Sequence, residues 1–302
     1  MQYPTGGETQ ATPWHLRAKQ IEQFDKLGFI KLPGLIPHTI LSKLQNEAAI
    51  IERQAAHWLN TNARKQDFFV TTNLFSLHLN RLLHFHRYAE KPSLAVLGCP
   101  ELLAPAQSLC GTDCVPTVDM MIFKQPNNDS HIPWHQDLIY PTEKYRIATF
   151  GIYLDDANEQ NGAITFIPGT QHQRQDICQY EKKQPNKGAH RVDAKAGDVI
   201  IHNPMIVHAS NTNTGQKRRT LYYEMRPLKA LLNHQNWPKE LIHNRLKLLF
   251  NAVNQYQLHF SQSNEKPLPL HHCDDWRCQP IDGVLDELYS IAVPFDTVNY
   301  CK

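Results

Sequence analysis

His135-Gln136-Asp137, answered far along the chain by His208, are the residues whose types and spacing could do chemistry. In an extended segment alternate side chains share a face, so His135 and Asp137 would point into one cavity while Gln136 points away. His208 would add a second imidazole, giving two nitrogens and one carboxylate on one face of an octahedron. Three such ligands hold a ferrous ion and leave positions open for a cosubstrate and oxygen, the signature of non-haem iron oxygenases. Taken alone, one His-x-Asp among 17 histidines reads more readily as ordinary surface or core residues. The neighbours have to decide.

Arg219, in Lys217-Arg218-Arg219, opens the apolar strand Leu221-Tyr222-Tyr223. A guanidinium facing the cavity grips a carboxylate bidentately, a geometry that lysine does not supply. Its expected partner is the distal carboxylate of 2-oxoglutarate, whose keto-acid end would chelate the iron. Arg218 is expected on the opposite face of the strand, and without its context Arg219 reads as well as an exposed cation. Thr149 and Met120 are further candidates for contact with the cosubstrate, Thr149 through its hydroxyl and Met120 on one face with Val118 and Ile122. Trp134 and Tyr140 flank the metal motif and could shape a substrate pocket. His202 lies in the apolar run Val199-Ile200-Ile201 and reads as a packed strand residue, and His131 falls outside the ligand set. His271-His272-Cys273 with Cys278 invites a zinc reading, but no second pair follows. Cys110 and Cys114 read as free buried thiols, and Asp155-Asp156 as a solvated turn.

The elements that must position these residues follow from periodicity. Apolar residues from Trp14 to Leu27 recur as on a helix, with Gly28 as its stop. Phe29 to Leu32 alternate like a strand. Leu41, Leu44, Ala48, Ile51, Ala55 and Trp58 mark a second helix, Phe75, Leu79, Leu82 and His86 a third, and Pro92 the start of a fourth. From about Val115 the texture changes to short apolar runs at 118–123, 148–154, 164–167, 199–202 and 221–225, separated by turn residues. Many short strands of this kind predict a jelly roll. After Pro227 a helical stripe returns with Ile242, Leu246, Leu249 and Val253. The expected organisation is one domain over 1–302: a mainly helical flank at 1–114, a jelly-roll core at 115–227, and a helical or irregular flank at 228–302. That last flank is expected to pack against the core rather than act as a lid or an oligomer contact. The polar stretches 144–146 and 174–190 read as loops over the mouth, where substrate choice is usually set.

At 302 residues and 41% hydrophobic content the chain can bury a sizeable core. Its 31 basic and 29 acidic residues nearly balance, and no charge run points to nucleic acid or a membrane surface. An odd count of 7 cysteines without dense spacing argues against a secreted disulfide framework. The N-terminus does not read as a signal peptide, and no stretch approaches the roughly 20 apolar residues that span a bilayer. The expectation is a cytoplasmic monomer or homodimer acting on a small molecule.

With these residues in view, the stretch from about Thr117 to Pro227 resembles the phytanoyl-CoA dioxygenase-like family of iron(II)/2-oxoglutarate oxygenases. The resemblance rests on Trp134-His135-Gln136-Asp137, on Asn161-Gly162-Ala163-Ile164-Thr165-Phe166-Ile167-Pro168-Gly169-Thr170-Gln171-His172, on Ala196-Gly197-Asp198-Val199-Ile200-Ile201-His202, on Val207-His208-Ala209-Ser210-Asn211, and on Arg219. Gly28-Phe29-Ile30 and Leu32-Pro33-Gly34 resemble the family's N-terminal entry. The resemblance implies a mainly β fold with flanking α-helices around a double-stranded β-helix (jelly-roll, cupin-like) core. It implies His135, Asp137 and His208 as iron ligands, Arg219 as the 2-oxoglutarate anchor, and ascorbate as an in vitro reductant. Ala209 and Val118 depart from the family pattern, the second where relatives carry a polar cosubstrate contact. The carboxylate of Asp137 fills the place that a chloride takes in related halogenases, so hydroxylation or another oxidation is expected rather than halogenation. Two alternatives stay open: a non-catalytic jelly-roll binder, and a zinc hydrolase on the same ligands.

Overall fold

The computed structural model describes residues 12–61, 67–72, 77–126, 130–138, 145–182, 187–232, 234, 236–262, 265–270 and 299–301. Helix α1 (Ala18–Leu27) buries Phe24 and stops where Gly28 turns left-handed, φ 85°, with its N–H on the Phe24 carbonyl. A Cβ at Gly28 would also meet the Gln171 side chain at 2.6 Å, so the turn and the packing both require glycine. The turn feeds β1 (Phe29–Leu32), then α2 (His38–Arg53), which buries Ile40, Leu41, Leu44, Ala48 and Ile51 as its spacing predicts, and α3 (Ala55–Thr61).

The expected third helix is a strand. β2 (Phe68–Thr72) and β3 (Leu77–Leu83) form an antiparallel pair whose register slips: Phe69 opposes Arg81 and Val70 opposes Leu79, leaving Asn80 extra. That bulge puts Leu79 and Leu82 on one face although they lie three apart, which mimics helical spacing. Phe75, which belonged to the same expectation, lies outside the described residues. Helices α4 (Glu90–Gly98) and α5 (Pro100–Cys110) follow, Pro92 falling in the first turn of α4.

The remaining strands are β4 (Cys114–Lys124), β5 (Ile132–Gln136), β6 (Ala148–Tyr153), β7 (Ile164–Ile167), β8 (His190–Arg191), β9 (Val199–His202), β10 (Val207–Ser210), β11 (Arg218–Pro227) and β12 (Asn299–Tyr300). Helix α6 (Cys178–Lys182) precedes β8, and α7 (Leu228–Leu232) and α8 (Lys239–His259) follow β11. All pairings are antiparallel. One sheet runs β1-β9-β6-β11-β4-β3-β2 and the other β12-β5-β10-β7-β8. This is the mainly β jelly roll with flanking helices that the sequence predicts. The flanks are less purely helical than expected, because they lend β1, β2, β3 and β12 to the sheets.

Two apolar layers hold it. On the outer face of the seven-stranded sheet, Met121, Phe123, Phe150, Leu221 and Tyr223 pack against Leu44, Leu94, Leu102 and Leu249 of the helices. Between the sheets, Phe29 stacks on Phe166 at 4.6 Å amid Tyr153, Ile200 and Ile206. Tying β4 to α8, the buried Asp119 accepts from His86 and Arg245, and Arg245 also donates to the Pro116 carbonyl at 2.6 Å. The stripe on α8 packs as expected, with Ile242, Leu246 and Leu249 all fully buried. No described helix is long and apolar enough to cross a membrane. Cys99, Cys110 and Cys114 are buried free thiols, and Cys178 is disulfide-bonded to Cys301.

α4 and α8 meet backbone to backbone at Gly98, where a methyl would run into the Ala252 carbonyl. Gly98→Ala is therefore expected to destabilise by about 1–3 kcal/mol, the usual cost of overpacking. Chemical denaturation measures this, and an unchanged midpoint would show that the two helices can part freely.

Candidate metal centre

Strand register builds the site. β10 lies between β7 and β5, and in the β5 pairing His208 stands directly opposite His135. The two rings sit 4.0 Å apart, centroid to centroid. The chain leaves β5 at Asp137, whose backbone N–H donates to the Pro204 carbonyl at 2.8 Å, so the carboxylate stays level with both rings. Gln136 points the other way, as expected, and clamps the strand: it donates to the Gln173 and Met205 carbonyls and accepts from the Gln175 N–H.

One ligand atom from each of His135, Asp137 and His208 lies within 4.8 Å of the others. The His135 Nδ1 sits 2.8 Å from the Pro133 carbonyl, and the His208 Nδ1 sits 2.9 Å from that of Ile206. A carbonyl can only accept, so Nδ1 carries the hydrogen in each ring and the Nε2 lone pair faces inward. The inward nitrogens lie 3.4 Å (His135) and 3.8 Å (His208) from oxygens of Asp137. Metal bonds of about 2.1 Å would set neighbouring ligands roughly 3 Å apart, so small closing movements seat an ion. Burial pushes the His208 pKa down to about 3, with the nearness of His135 acting in the same direction, which keeps that ring neutral and ligand-ready. Burial pushes the Asp137 carboxyl up, but the neighbouring imidazoles outweigh it and hold its pKa well below the ordinary range. The donor set is therefore two neutral nitrogens and one hard anionic oxygen, which fits ferrous iron with open positions.

The triad sits in the wall of a cavity of about 360 Å³ between the sheets. Thr149 and Met120 line it, as do Val118 and Ile122 on the same face of β4. Trp134 does not: strand alternation turns it outward, onto Ile177, Val207 and Ala209. His202 is buried, as a packed strand residue should be, yet its ring lines the cavity, 3.6 Å from Asp137. Neither of its buried nitrogens has a partner within hydrogen-bond distance among the described residues, and Asp137 is the polar group that Nε2 faces. His131 sits at the rim. Tyr140 and the His271–Cys278 cluster lie outside the described residues.

The expected cosubstrate anchor requires a correction. Arg219 faces away from the cavity, because β11 pairs it with Phe123 on the helix-covered side of the sheet. There Asp155 takes it bidentately, with Nε and Nη2 each donating at 2.8 Å, and Nη1 donates to the Gln45 carbonyl. Asp155 is thus a structural partner rather than part of a solvated turn. Arg218, expected on the far face, is the one that lines the cavity, level with Lys124 and 1% exposed. Its Nη1 donates to the Gly162 carbonyl while Nε finds no acceptor among the described residues. A signal for this was present in the sequence. Arg218, Thr220, Tyr222, Glu224 and Arg226 form the polar alternation of β11, and Arg219, Leu221, Tyr223 and Met225 its apolar one.

Sequence reasoning also missed Tyr300. β12 pairs with β5 so that Tyr300 opposes His135, and its ring stacks on the imidazole at 5.0 Å. Cys301 next to it is joined to Cys178 of α6, and the carboxylate of Glu181 in the same helix accepts from the Trp134 N–H. No local pattern announces a residue so distant in the chain.

The model of the phytanoyl-CoA dioxygenase family matches residues 24–221. L-proline trans-4-hydroxylase of Streptomyces griseoviridis is 24% identical over 171 residues, covering 46% of this chain and 64% of its own length. Phytanoyl-CoA dioxygenase domain-containing protein 1 of Danio rerio is 26% identical over 137 residues, covering 39% and 47%. The chain thus spans less than two thirds of either relative. Among solved structures, AviO1 from Streptomyces viridochromogenes Tue57 superposes with TM-score 0.58 at 25% identity, over 72% of this chain and 97% of that one. EctD from S. alaskensis, solved with 2-oxoglutarate and 5-hydroxyectoine, gives 0.59 at 18% identity, over 73% and 80%. The shared element is the jelly-roll fold.

Because Arg219 serves the fold, Arg219→Ala is expected to cost about 1–3 kcal/mol of stability, the penalty for stranding a hydrogen-bonded partner. It should leave 2-oxoglutarate affinity within a few-fold. Denaturation and equilibrium binding on the same preparation check both halves; lost affinity at unchanged stability would return Arg219 to the cavity.

Proposed function

Because the chain belongs to the phytanoyl-CoA dioxygenase family, we propose that it is an iron(II)- and 2-oxoglutarate-dependent dioxygenase that hydroxylates a small molecule, releasing succinate and carbon dioxide. The observation that carries this reading is the convergence on one cavity of the His135–Asp137–His208 cluster and a buried guanidinium with donor capacity to spare. A volume of about 360 Å³ suits a cosubstrate and a small substrate, not a macromolecule.

His135, Asp137 and His208 would hold the iron, which when bound supplies oxygen activation coupled to loss of carbon dioxide from the keto acid. Arg218 would take the distal carboxylate of 2-oxoglutarate through its inward edge, with Met120 and then Thr149 farther along the same wall. The Nδ1 bonds to Pro133 and Ile206 keep both rings from turning, so the ligand nitrogens stay aimed when the cosubstrate enters. Apolar walls from Val118, Met120 and Ile122 exclude water from the reacting face. The carboxylate at position 137 occupies the place a halide would need, which supports hydroxylation over halogenation.

Purified protein given ferrous ion, ascorbate and 2-oxoglutarate is expected to bind the keto acid and release succinate, with inhibition by N-oxalylglycine. Asp137→Ala should abolish coupled turnover, and near-normal succinate release from it would contradict the ligand assignment. Arg218→Met should weaken 2-oxoglutarate binding by about 10- to 100-fold, the range for a charge-assisted bidentate pair. Unchanged affinity in that variant would remove Arg218 from the cosubstrate site.

A further inference from the structure

The cavity carries a second guanidinium that the cosubstrate does not need. Arg81 stands on β3 opposite Ile122, and Ile122 shares its face of β4 with Lys124, the partner of Arg218. Two strand spacings across the sheet and two residues along it separate the Cα atoms of Arg81 and Arg218 by about 12 Å. They therefore serve different places. Arg218 is sealed inside, whereas Arg81 is only half-buried and lies near the entrance with Asn80, Phe69 and Tyr300.

The cations around the cavity differ in what occupies them. Lys124 donates to the Ser210 and Asn211 carbonyls, and Arg226 is paired with Glu224. Arg81 forms no hydrogen bond or ion pair among the described residues; its guanidinium carbon sits over the Phe69 ring, 4.1 Å from the centroid. Attraction to the ring face holds the group in place without using its N–H donors. Burial lowers its pKa, and Tyr300 first and Asp137 second work against that loss. A partly desolvated guanidinium with an open edge, held near the reacting centre, is a receptor for a planar anion.

We propose that Arg81 is the substrate anchor: it binds a carboxylate of the small molecule to be oxidised, so the substrate class is small carboxylic acids, amino acids among them. This rests on the dioxygenase reading for the word substrate, but the binding site itself does not. With its anionic end on Arg81 and its apolar body along Met120 and Ile122, such a molecule lies across the cavity toward the metal cluster. The bulge at Asn80 makes this possible: it returns Leu82 to the core while leaving Arg81 on the cavity face.

Binding is measured by thermal shift and calorimetry on the metal-free protein, with a panel of free amino acids and short carboxylic acids, each beside its methyl ester, plus simple phosphate monoesters. The wild type is expected to bind at least one acid about 10- to 100-fold more tightly than its ester. Arg81→Met should erase that preference and Arg81→Lys should keep part of it, while both bind 2-oxoglutarate within twofold of wild type. The same acids should stimulate succinate release in the iron-loaded wild type and not in Arg81→Met. A wild type that binds esters or phosphates as well as acids, or no member of the panel, overturns the proposal, as does a preference that survives Arg81→Met. If acids bind through Arg81 but no succinate forms under any condition, the anchor stands and the dioxygenase reading falls.

Discussion

The antiparallel register between β5 and β10 is the constraint on which the site depends. It sets His135 opposite His208, and two backbone carbonyls then orient the rings without help from any side chain. A slip of one residue would turn one imidazole to the outer face and present Trp134 or Gln136 in its place. Both neighbours resist that slip. Trp134 is packed among apolar residues, and Gln136 spends its amide on three backbone groups. The residues flanking His135 are structural, and their work is to keep the ligand between them pointed inward.

The fold and the ligand cluster were legible because both depend on local patterns. A His-x-Asp pair on an extended segment has one geometric outcome, and short apolar runs between turns have few. What was not legible depended on parity. The choice between Arg218 and Arg219 turned on which face of β11 is covered by helices. The polar and apolar alternation of β11 separates the two faces, but a charged Arg219 standing in the apolar set hides which of the two arginines goes with the cavity. Asp155, well outside β11, settles the matter by holding Arg219 from the helix side. The β3 error has the same root, since one extra residue at Asn80 gave a strand the spacing of a helix. Tyr300 was beyond reach for another reason: its place comes from a strand pairing and from the disulfide of Cys301, and the sequence names neither the partner strand nor the partner cysteine.

The cysteines follow a similar logic. An odd, sparse set argues against a disulfide framework, and the described residues hold one bridge and three buried thiols rather than a framework. The bridge joins β12 to α6, and α6 also receives the Trp134 N–H, so both anchors of this strap bear on β5. The strand carrying His135 is thereby braced on its outer edge by β12 and on its inner edge by β10.

The two sheets divide the labour. His135 and His208 come from the five-stranded sheet and Asp137 from the turn that leaves it, whereas Arg218, Thr149, Met120 and Arg81 come from the seven-stranded sheet across the cavity. Changes on the far wall can therefore alter what is bound without moving a metal ligand, because the two walls share no strand. The cost of placing charge on that wall is met locally: Arg218 has the Gly162 carbonyl and the Tyr153 ring, and Arg81 has Phe69. Each cation is stabilised enough to stay folded inward and left with donors unused. A guanidinium fully paired by the protein, as Arg219 is by Asp155, would be stable in the same wall and useless for binding.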